Sequence, residues 1–135
     1  MSVNYVKVKR MIHCGENPGE KFLARLWRNN DINLDTIAEE ISNSTTMNYA
    51  DVIGVVKALE QQISKHILNG SAVKLGMLGS FVPAISSKAC DSVDDVTNES
   101  IRRVKCIFKP SVKFKTMLSK ASLKEKSLEV KGLIE

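Results

Sequence analysis

The segment from Gly70 to Leu118 constrains the fold more than any other part of this 135-residue chain. It reads GSAVKLGMLGSF, then a polar acidic stretch, then RRVKCIFKPSVKFKTML. Two β-rich runs therefore flank an excursion. Gly76 and Gly79 indicate a tight turn or a close backbone approach in the first run. A basic helix is predicted to begin at Pro110, because proline suits the first turn of a helix.

The return run from Ile101 to Lys109 separates by strand parity into two faces. One face carries Arg102, Val104, Cys106 and Phe108, and the other carries Arg103, Lys105, Ile107 and Lys109. Three cations on one side of a strand are costly to bury, so this side is predicted to face phosphate groups. Pro83, in the run before, cannot donate to a ladder, so this strand is predicted to lie at an edge or to leave the sheet there.

The charge is distributed unevenly along the chain, whose net charge is +5. Residues 100–126 carry nine basic groups against one acidic group, and residues 1–28 carry six against two. Residues 29–60 are acidic instead, with six acidic groups against one basic. Such asymmetry indicates a surface for a polyanion, with a solvated lysine-rich surface as the alternative.

The N-terminal residues predict a β-hairpin. Within Val3–Ile12, the apolar Val6 and Val8 alternate with Lys7 and Lys9, which is the period of a half-buried strand. Asn17, Pro18 and Gly19 supply turn chemistry, and residues 21–28 are predicted to return as a second strand. By parity, Phe22 and Trp27 lie on opposite faces of that strand, so that one of them is available for a subunit contact, with partly buried packing as the alternative for the tryptophan.

Two helices are predicted to follow as a helical hairpin. Asn33 and Asn48 are suitable N-caps, and Gly70 is a suitable stop for the second helix. The second helix has a long apolar stripe at helical spacing, formed by Val52, Val55, Val56, Leu59, Ile63 and Ile67. One subunit of this size could hardly cover so wide an apolar face, which predicts a homodimer.

Several functional classes find no support in the sequence. Cys14, Cys90 and Cys106 are odd in number and widely separated, which argues against a disulfide framework. His13 beside Cys14 lacks a second pair at ligand spacing, so no metal site is predicted. No catalytic constellation or phosphate-binding glycine loop is present, so neither an enzyme nor a cofactor or small-molecule substrate is expected. Without a signal peptide or an apolar run long enough for a membrane, a cytoplasmic protein is expected.

The order of these elements resembles the HU and integration host factor family of bacterial histone-like proteins. The family's first turn, roughly V-x-L-x-G-F-G-T-F, corresponds to residues 73–81, VKLGMLGSF. The family's F-K-P-G-K-x-L-K corresponds to residues 108–115, FKPSVKFK. The resemblance covers about residues 33–121, and the preceding hairpin is similar to that of a longer HU-related branch.

The resemblance implies an α+β, HU-like (IHF-like) fold with a helical hairpin, a β-saddle with an arm, a C-terminal helix and an N-terminal β-hairpin extension. It implies one DNA-binding domain over residues 1–121, with the extension at 1–30 and the core at 31–121. The charged residues 122–135 are expected to form a flexible tail.

The implied function is that of an architectural or regulatory homodimer. Such a dimer would be nucleoid-associated and would hold double-stranded DNA through backbone and minor-groove contacts. The predicted DNA-binding residues are Lys74, Arg102, Arg103, Lys105, Lys109, Lys113, Lys115 and Lys120.

One departure from the family leaves a second function open. The family's arm tip carries an Arg-Asn-Pro motif, whereas residues 90–96 here read CDSVDDV. Acidic groups at the tip are repelled by phosphate, and Val112 replaces a family lysine. A protein-interaction or scaffold module that reuses the HU-like fold without strong DNA binding is therefore the alternative.

Overall fold

The computed structural model describes residues 1–127, which fall into two compact units. The first unit contains residues 1–31 together with the chain from Met117, and the second contains Ile32–Thr116. Within the described residues the structure is a mixed α+β arrangement of three helices and two three-stranded sheets. The predicted α+β class is therefore confirmed at this level. No helix in residues 1–127 combines the length and the apolar character that a membrane crossing requires.

The strands and helices follow one another in an order close to the predicted one. Their bounds are β1 Val3–Ile12, β2 Gly19–Leu26, α1 Leu34–Ser44, α2 Tyr49–Leu68, β3 Val73–Leu75, β4 Gly79–Ser87, β5 Ile101–Pro110, α3 Val112–Ser119 and β6 Leu123–Glu125. Two single 3-10 turns, Val93–Asp95 and Asn98–Ser100, lie between β4 and β5.

The first unit is built on a sheet with the strand order β2-β1-β6. β1 and β2 form the predicted hairpin, antiparallel from the pair Ile12 and Gly19 onward. The second strand begins two residues before the predicted position, because Gly19 already pairs with β1. β6 pairs in parallel with the first residues of β1. Residues 123–125 of the expected flexible tail therefore pair with β1, and residues 128–135 of that tail lie outside the described range.

Val6 is the buried residue at the centre of this first sheet, with 5% of its surface exposed. Trp27 donates its backbone N–H to Asn4, and Lys126 donates its own to Tyr5 on the other side of β1. The Lys126 ammonium lies 4.3 Å from the centroid of the Trp27 ring, a cation–π contact over the face that contains Val6. Trp27 is therefore half-buried packing, while Phe22 on the opposite face is exposed.

Capping residues define the helical hairpin of the second unit. The Asn33 and Asn48 side chains accept hydrogen bonds from Thr36 N and Asp51 N, each at 2.9 Å, so both predicted N-caps are confirmed. At the far end of α2, Gly70 has φ 83° and donates to Ile67, and the next residue donates to His66. This pair of bonds is a Schellman cap, for which glycine is the favoured residue.

The two helices also meet through a polar contact. The Tyr49 hydroxyl of α2 donates to the Asp35 carboxylate of α1 at 2.8 Å, and this bond raises the pKa of Tyr49. Ala38 of α1 and Val52 of α2 are buried, and α2 also contacts β3 and β4. The core of the second unit therefore lies between the helical hairpin and one face of the second sheet.

The second sheet has the strand order β3-β4-β5, and all its pairs are antiparallel. β3 pairs with β4 only as far as Phe81, so that among the described strands β4 has one uncovered edge from Val82 onward. Pro83 lies on this stretch, as its missing N–H requires. The hairpin of β4 and β5 continues beyond β3 as a two-stranded ribbon to Ser87 and Ile101.

The turn between β3 and β4 brings Gly79 against the backbone of β5. A Cβ on Gly79 would lie 2.3 Å from the Lys109 carbonyl oxygen, and its φ of 154° is one that side-chain-bearing residues rarely adopt. The predicted close backbone approach is therefore confirmed, and glycine is required here on both grounds.

The start of α3 differs from the prediction. Pro110 is the last residue of β5, opposite Gly79, and is not the first residue of the helix. Ser111 caps the helix instead, because its Oγ accepts from Phe114 N at 3.0 Å and its carbonyl from Lys115 N at 2.9 Å. The same hydroxyl donates to the Met77 carbonyl, which ties the cap to the turn before β4. A serine cap supplies an acceptor that proline lacks.

Candidate nucleic-acid interface

One face of the second sheet collects cations and carries no carboxylate. The register aligns Lys74, Ser80 and Lys109 across three strands, and places Lys105 opposite Ala84 and Arg103 opposite Ser86. Directly paired residues share a face, so these side chains lie together on one side of the sheet. We call the set Lys74, Arg103, Lys105 and Lys109 the saddle face.

The other side chains on this face are uncharged. Those of β4 are Ser80, Val82, Ala84 and Ser86, and Ile107 of β5 lies between Lys105 and Lys109, directly opposite Val82. Successive residues on one strand face are separated by about 6.8 Å, so the three β5 cations extend over about 20 Å. Uncharged neighbours leave these cations free to contact a rod-like ligand that lies along the ribbon.

The mutual repulsion of these cations is small. Two unit charges about 7 Å apart repel by about 0.6 kcal/mol in water, and salt reduces this further. A solvated surface tolerates such a cost, so the positive charge alone does not identify a partner. The absence of any acidic residue from β3, β4 and β5 is more informative, because it leaves no internal counter-charge on either face of this sheet.

The eight predicted DNA-binding cations do not all lie together. Four of them form the saddle face, whereas Arg102 is the extra residue of a β-bulge, since Ser86 pairs with Arg103 and Ser87 with Ile101. Lys113 and Lys115 lie in the first turns of α3. Lys120 belongs to the other compact unit. All eight are exposed, and none forms an ion pair with another residue in the range 1–127.

The opposite face of the sheet is apolar. Its side chains include Val73 and Leu75 of β3, and the Phe81 and Phe108 rings pack with their centroids 5.3 Å apart. Farther along the ribbon, Ile85 and Val104 pair directly and are 58% and 70% exposed. One side of the sheet is therefore basic, and the other is an apolar surface left partly uncovered in a single chain.

The segment at the end of the ribbon folds back on itself. Ser100 is 1% exposed, its hydroxyl donates to the Thr97 carbonyl at 2.7 Å, and its own carbonyl accepts from Lys88 N and from the Ser87 hydroxyl. The carboxyl side chains of this segment, those of Asp91, Asp94, Asp95 and Glu99, are all exposed. The tip is thus a compact acidic turn and contains no proline.

Sequence reasoning overlooked two polar side chains of the saddle face. Ser80 stands between Lys74 and Lys109, and Ser86 stands opposite Arg103. Serine hydroxyls donate hydrogen bonds to phosphate oxygens, as lysine and arginine side chains do, so both serines belong to the candidate surface. Both serines could have been found from the sequence by assigning alternate residues of β4, as well as those of β5, to the two faces of the sheet.

Residues 1–125 match the HU-HIG family model, described as an HU domain fused to wHTH, Ig, or glycine-rich motif. No curated protein matches the chain significantly. A crystal structure from Bacteroides vulgatus ATCC 8482, named a "Putative bacterial DNA binding protein", has a similar fold with a TM-score of 0.66 and 10% sequence identity. The match covers 92% of this chain and 48% of that one, so the chain spans about half of that protein's length.

Proposed function

Because the chain belongs to the HU-HIG family of HU domains fused to other motifs, we propose that it binds double-stranded DNA through the saddle face. The protein would act as a non-enzymatic architectural or regulatory homodimer that contacts the DNA backbone and the minor groove. Arg102, Lys113 and Lys115 of the same unit, and Lys120 of the other unit, would add further phosphate contacts. These contacts position a duplex without reading its sequence.

The single observation that carries the proposal is the difference in charge between the two faces of the second sheet. Lys74, Lys109, Lys105 and Arg103 share one side with uncharged side chains and no acid, while the other side is formed mainly by aromatic and aliphatic residues. A polyanion neutralises the first face and a protein surface covers the second. A duplex with one negative charge per about 1.7 Å of axis suits the first role.

A second copy of the chain is the proposed cover for the apolar surfaces. Within residues 1–127 the apolar side chains that are buried are Val6, Ala38 and Val52 alone. On the stripe of α2, Val55 is 59% exposed and Leu59 is 47% exposed. Soluble monomers rarely expose contiguous apolar patches of more than a few hundred Å². An isologous dimer would bury both the α2 stripe and the apolar side of the sheet.

The proposal predicts strongly salt-dependent binding of a random 30-base-pair duplex. Each phosphate contact contributes about −0.9 to the slope of log K against log salt. The four saddle-face cations of one protomer therefore predict a slope of about −3.6, and a steeper one if both protomers engage the duplex. Fluorescence anisotropy from about 50 to 200 mM salt measures this slope. A slope shallower than about −1 would instead favour the protein-interaction alternative.

We further propose that the DNA is bent only slightly. A wedge that kinks DNA must enter between base steps, and such wedges bend a duplex by roughly 20–90°. The exposed large apolar side chains of the tip are those of Val93 and Val96, at 87% and 60% exposure, and the same segment carries four exposed carboxylates. The Debye length at about 0.1 M salt is roughly 10 Å, so salt does not screen these carboxylates from phosphate groups that are closer than this distance. The phosphate groups of DNA therefore repel the tip.

Fluorescence energy transfer between dyes at the two ends of a 30-base-pair duplex measures the bend angle of the DNA. We expect the protein to bend this duplex by less than about 20°, below the range of wedge-inserting proteins. The double variant Val93→Ser, Val96→Ser should leave the bend unchanged, and because both positions are exposed it should fold normally. A large bend that this variant abolishes would show that the tip does insert.

A further inference from the structure

The two faces of the first sheet differ sharply in charge. The face that contains Val6 and Val8 also carries Arg10, directly opposite Lys21, and Arg25, directly opposite Val6. Lys124 of β6 joins it through its pairing with Asn4. These four cations share their face with no carboxylate of β1, β2 or β6. We call Arg10, Lys21, Arg25 and Lys124 the N-terminal basic face.

The opposite face of the same sheet is electrically balanced. Lys7 pairs with Glu125 at 3.0 Å and Lys9 pairs with Glu20 at 2.9 Å. The bond to Glu125 also raises the pKa of Lys7. Both carboxylates of the three strands thus lie on this side, where each neutralises a lysine. The lysines of one face therefore have acidic partners within the sheet, whereas the cations of the other face have none.

This distribution of charge over the two faces does not stabilise the folded sheet. Like charges directly opposite each other on an antiparallel pair are destabilising, and Arg10 faces Lys21 in this way. Exchanging one of them for an acid would instead give a favourable cross-strand pair. The arrangement is understandable if the counter-charge comes from a ligand.

The geometry points to a second DNA-binding surface: we propose that the N-terminal basic face binds the sugar-phosphate backbone of duplex DNA. This inference rests on the proposed function for the identity of the polyanion, and it adds a surface outside the saddle face. Arginine suits the role because its planar guanidinium donates to two phosphate oxygens at once.

The shape of this surface is consistent with a backbone ligand. A hollow of about 550 Å³ is lined by Arg10 and Arg25 together with Val8, Leu23, Lys9 and Ala24. Val8 and Leu23 pair directly and give the hollow an apolar floor between the two arginines. A deoxyribose can rest on such a floor while the flanking guanidinium groups hold the phosphates on either side. The exposed state of Arg10, Lys21 and Arg25 leaves all three accessible.

The test compares three double variants of the 135-residue chain on the same 30-base-pair duplex across a salt series. Arg10→Gln, Arg25→Gln removes two charges from the N-terminal basic face, and Lys57→Gln, Lys65→Gln removes two exposed charges from α2, outside both basic faces. Lys105→Gln, Lys109→Gln reports on the saddle face separately. We expect the first variant to reduce the magnitude of the salt slope by about 1.8, at about 0.9 per contact. The Lys57 and Lys65 variant should change it by less than half as much.

The outcomes separate this inference from the proposed function. If the Arg10 and Arg25 variant keeps the wild-type slope while the Lys105 and Lys109 variant loses slope, the N-terminal surface is overturned and the saddle face stands. If the Lys57 and Lys65 variant loses as much slope as the arginine variant, the effect is one of net charge and the inference also fails. A parallel titration with polyglutamate covers an acidic protein partner. Loss of polyglutamate binding in the arginine variant with unchanged DNA binding would overturn the DNA assignment.

Discussion

Leu59→Asp is expected to unfold the protein, although the Leu59 side chain is 47% exposed in a single chain. At a solvent-facing position of this exposure, a surface substitution changes the free energy of unfolding by about 0.5 kcal/mol. In the core of a dimer, the carboxylate would be buried without a partner at a cost of about 3–5 kcal/mol. The interface is shared, so the cost falls on both protomers at once and exceeds what a small domain tolerates.

The measurement is circular dichroism at several protein concentrations, combined with sedimentation. The wild-type protein should sediment as a dimer and should unfold at a temperature that rises with protein concentration, since a dimer is stabilised by mass action. Gln61→Asp is the matched control, because it places the same carboxylate two residues away on the exposed opposite side of α2. A folded, monomeric Leu59→Asp protein would contradict the dimer.

Features that depend on a few neighbouring residues could be predicted from the sequence. The caps at Asn33 and Asn48 and the stop at Gly70 each involve partners within four residues, so the local pattern already contains the interaction. The bounds of β1 follow from simple alternation for the same reason. Gly79 was recognisable because only close contact or an unusual φ explains a glycine at that point of a strand.

Features that depend on distant partners could not be predicted in the same way. β6 exists because Leu123–Glu125 finds the free edge of β1, more than a hundred residues earlier in the chain, and its own side chains are exposed and carry no strand signal. The Ser111 cap was not predicted, because the preceding Pro110 is itself a suitable first residue of a helix. Pro110 ends β5 instead because it pairs with Gly79 on the neighbouring strand. The compact tip depends on the burial of Ser100, a residue without an apolar pattern.

The candidate sites show the same division. Parity along β5 alone placed Arg103, Lys105 and Lys109 on one side, and the sheet register agrees with that assignment. Parity failed only at Arg102, where a bulge interrupts the alternation. The N-terminal basic face was not recognised, because its charge asymmetry becomes visible only when β1 and β2 are aligned. The excess of basic groups in residues 1–28 was the available signal, but it does not say which of those groups share a face.

Lys105→Gln, Lys109→Gln is expected to weaken DNA binding by removing two phosphate contacts of the saddle face from each protomer. Both lysines are exposed on the saddle face and form no ion pair within residues 1–127. Their replacement therefore leaves no acidic side chain of that range without its ion-pair partner. The magnitude of the salt slope should fall by about 1.8 for one arm and by twice that if both arms of a dimer hold one duplex. Thermal stability should be unchanged, because exposed lysines contribute little to folding.

Lys57→Gln, Lys65→Gln is the control that separates this effect from a loss of net charge. Both of these lysines are exposed on α2, away from its apolar stripe, and the variant removes the same two charges. We expect anisotropy titrations to show a near wild-type slope for this control on duplexes of different sequence. The Lys105 and Lys109 variant should weaken binding to all of those duplexes by a similar factor, because phosphate contacts carry no sequence information. Equal losses in the two variants would mean that DNA responds to the overall field of the protein, and the saddle face would then not be the contact surface.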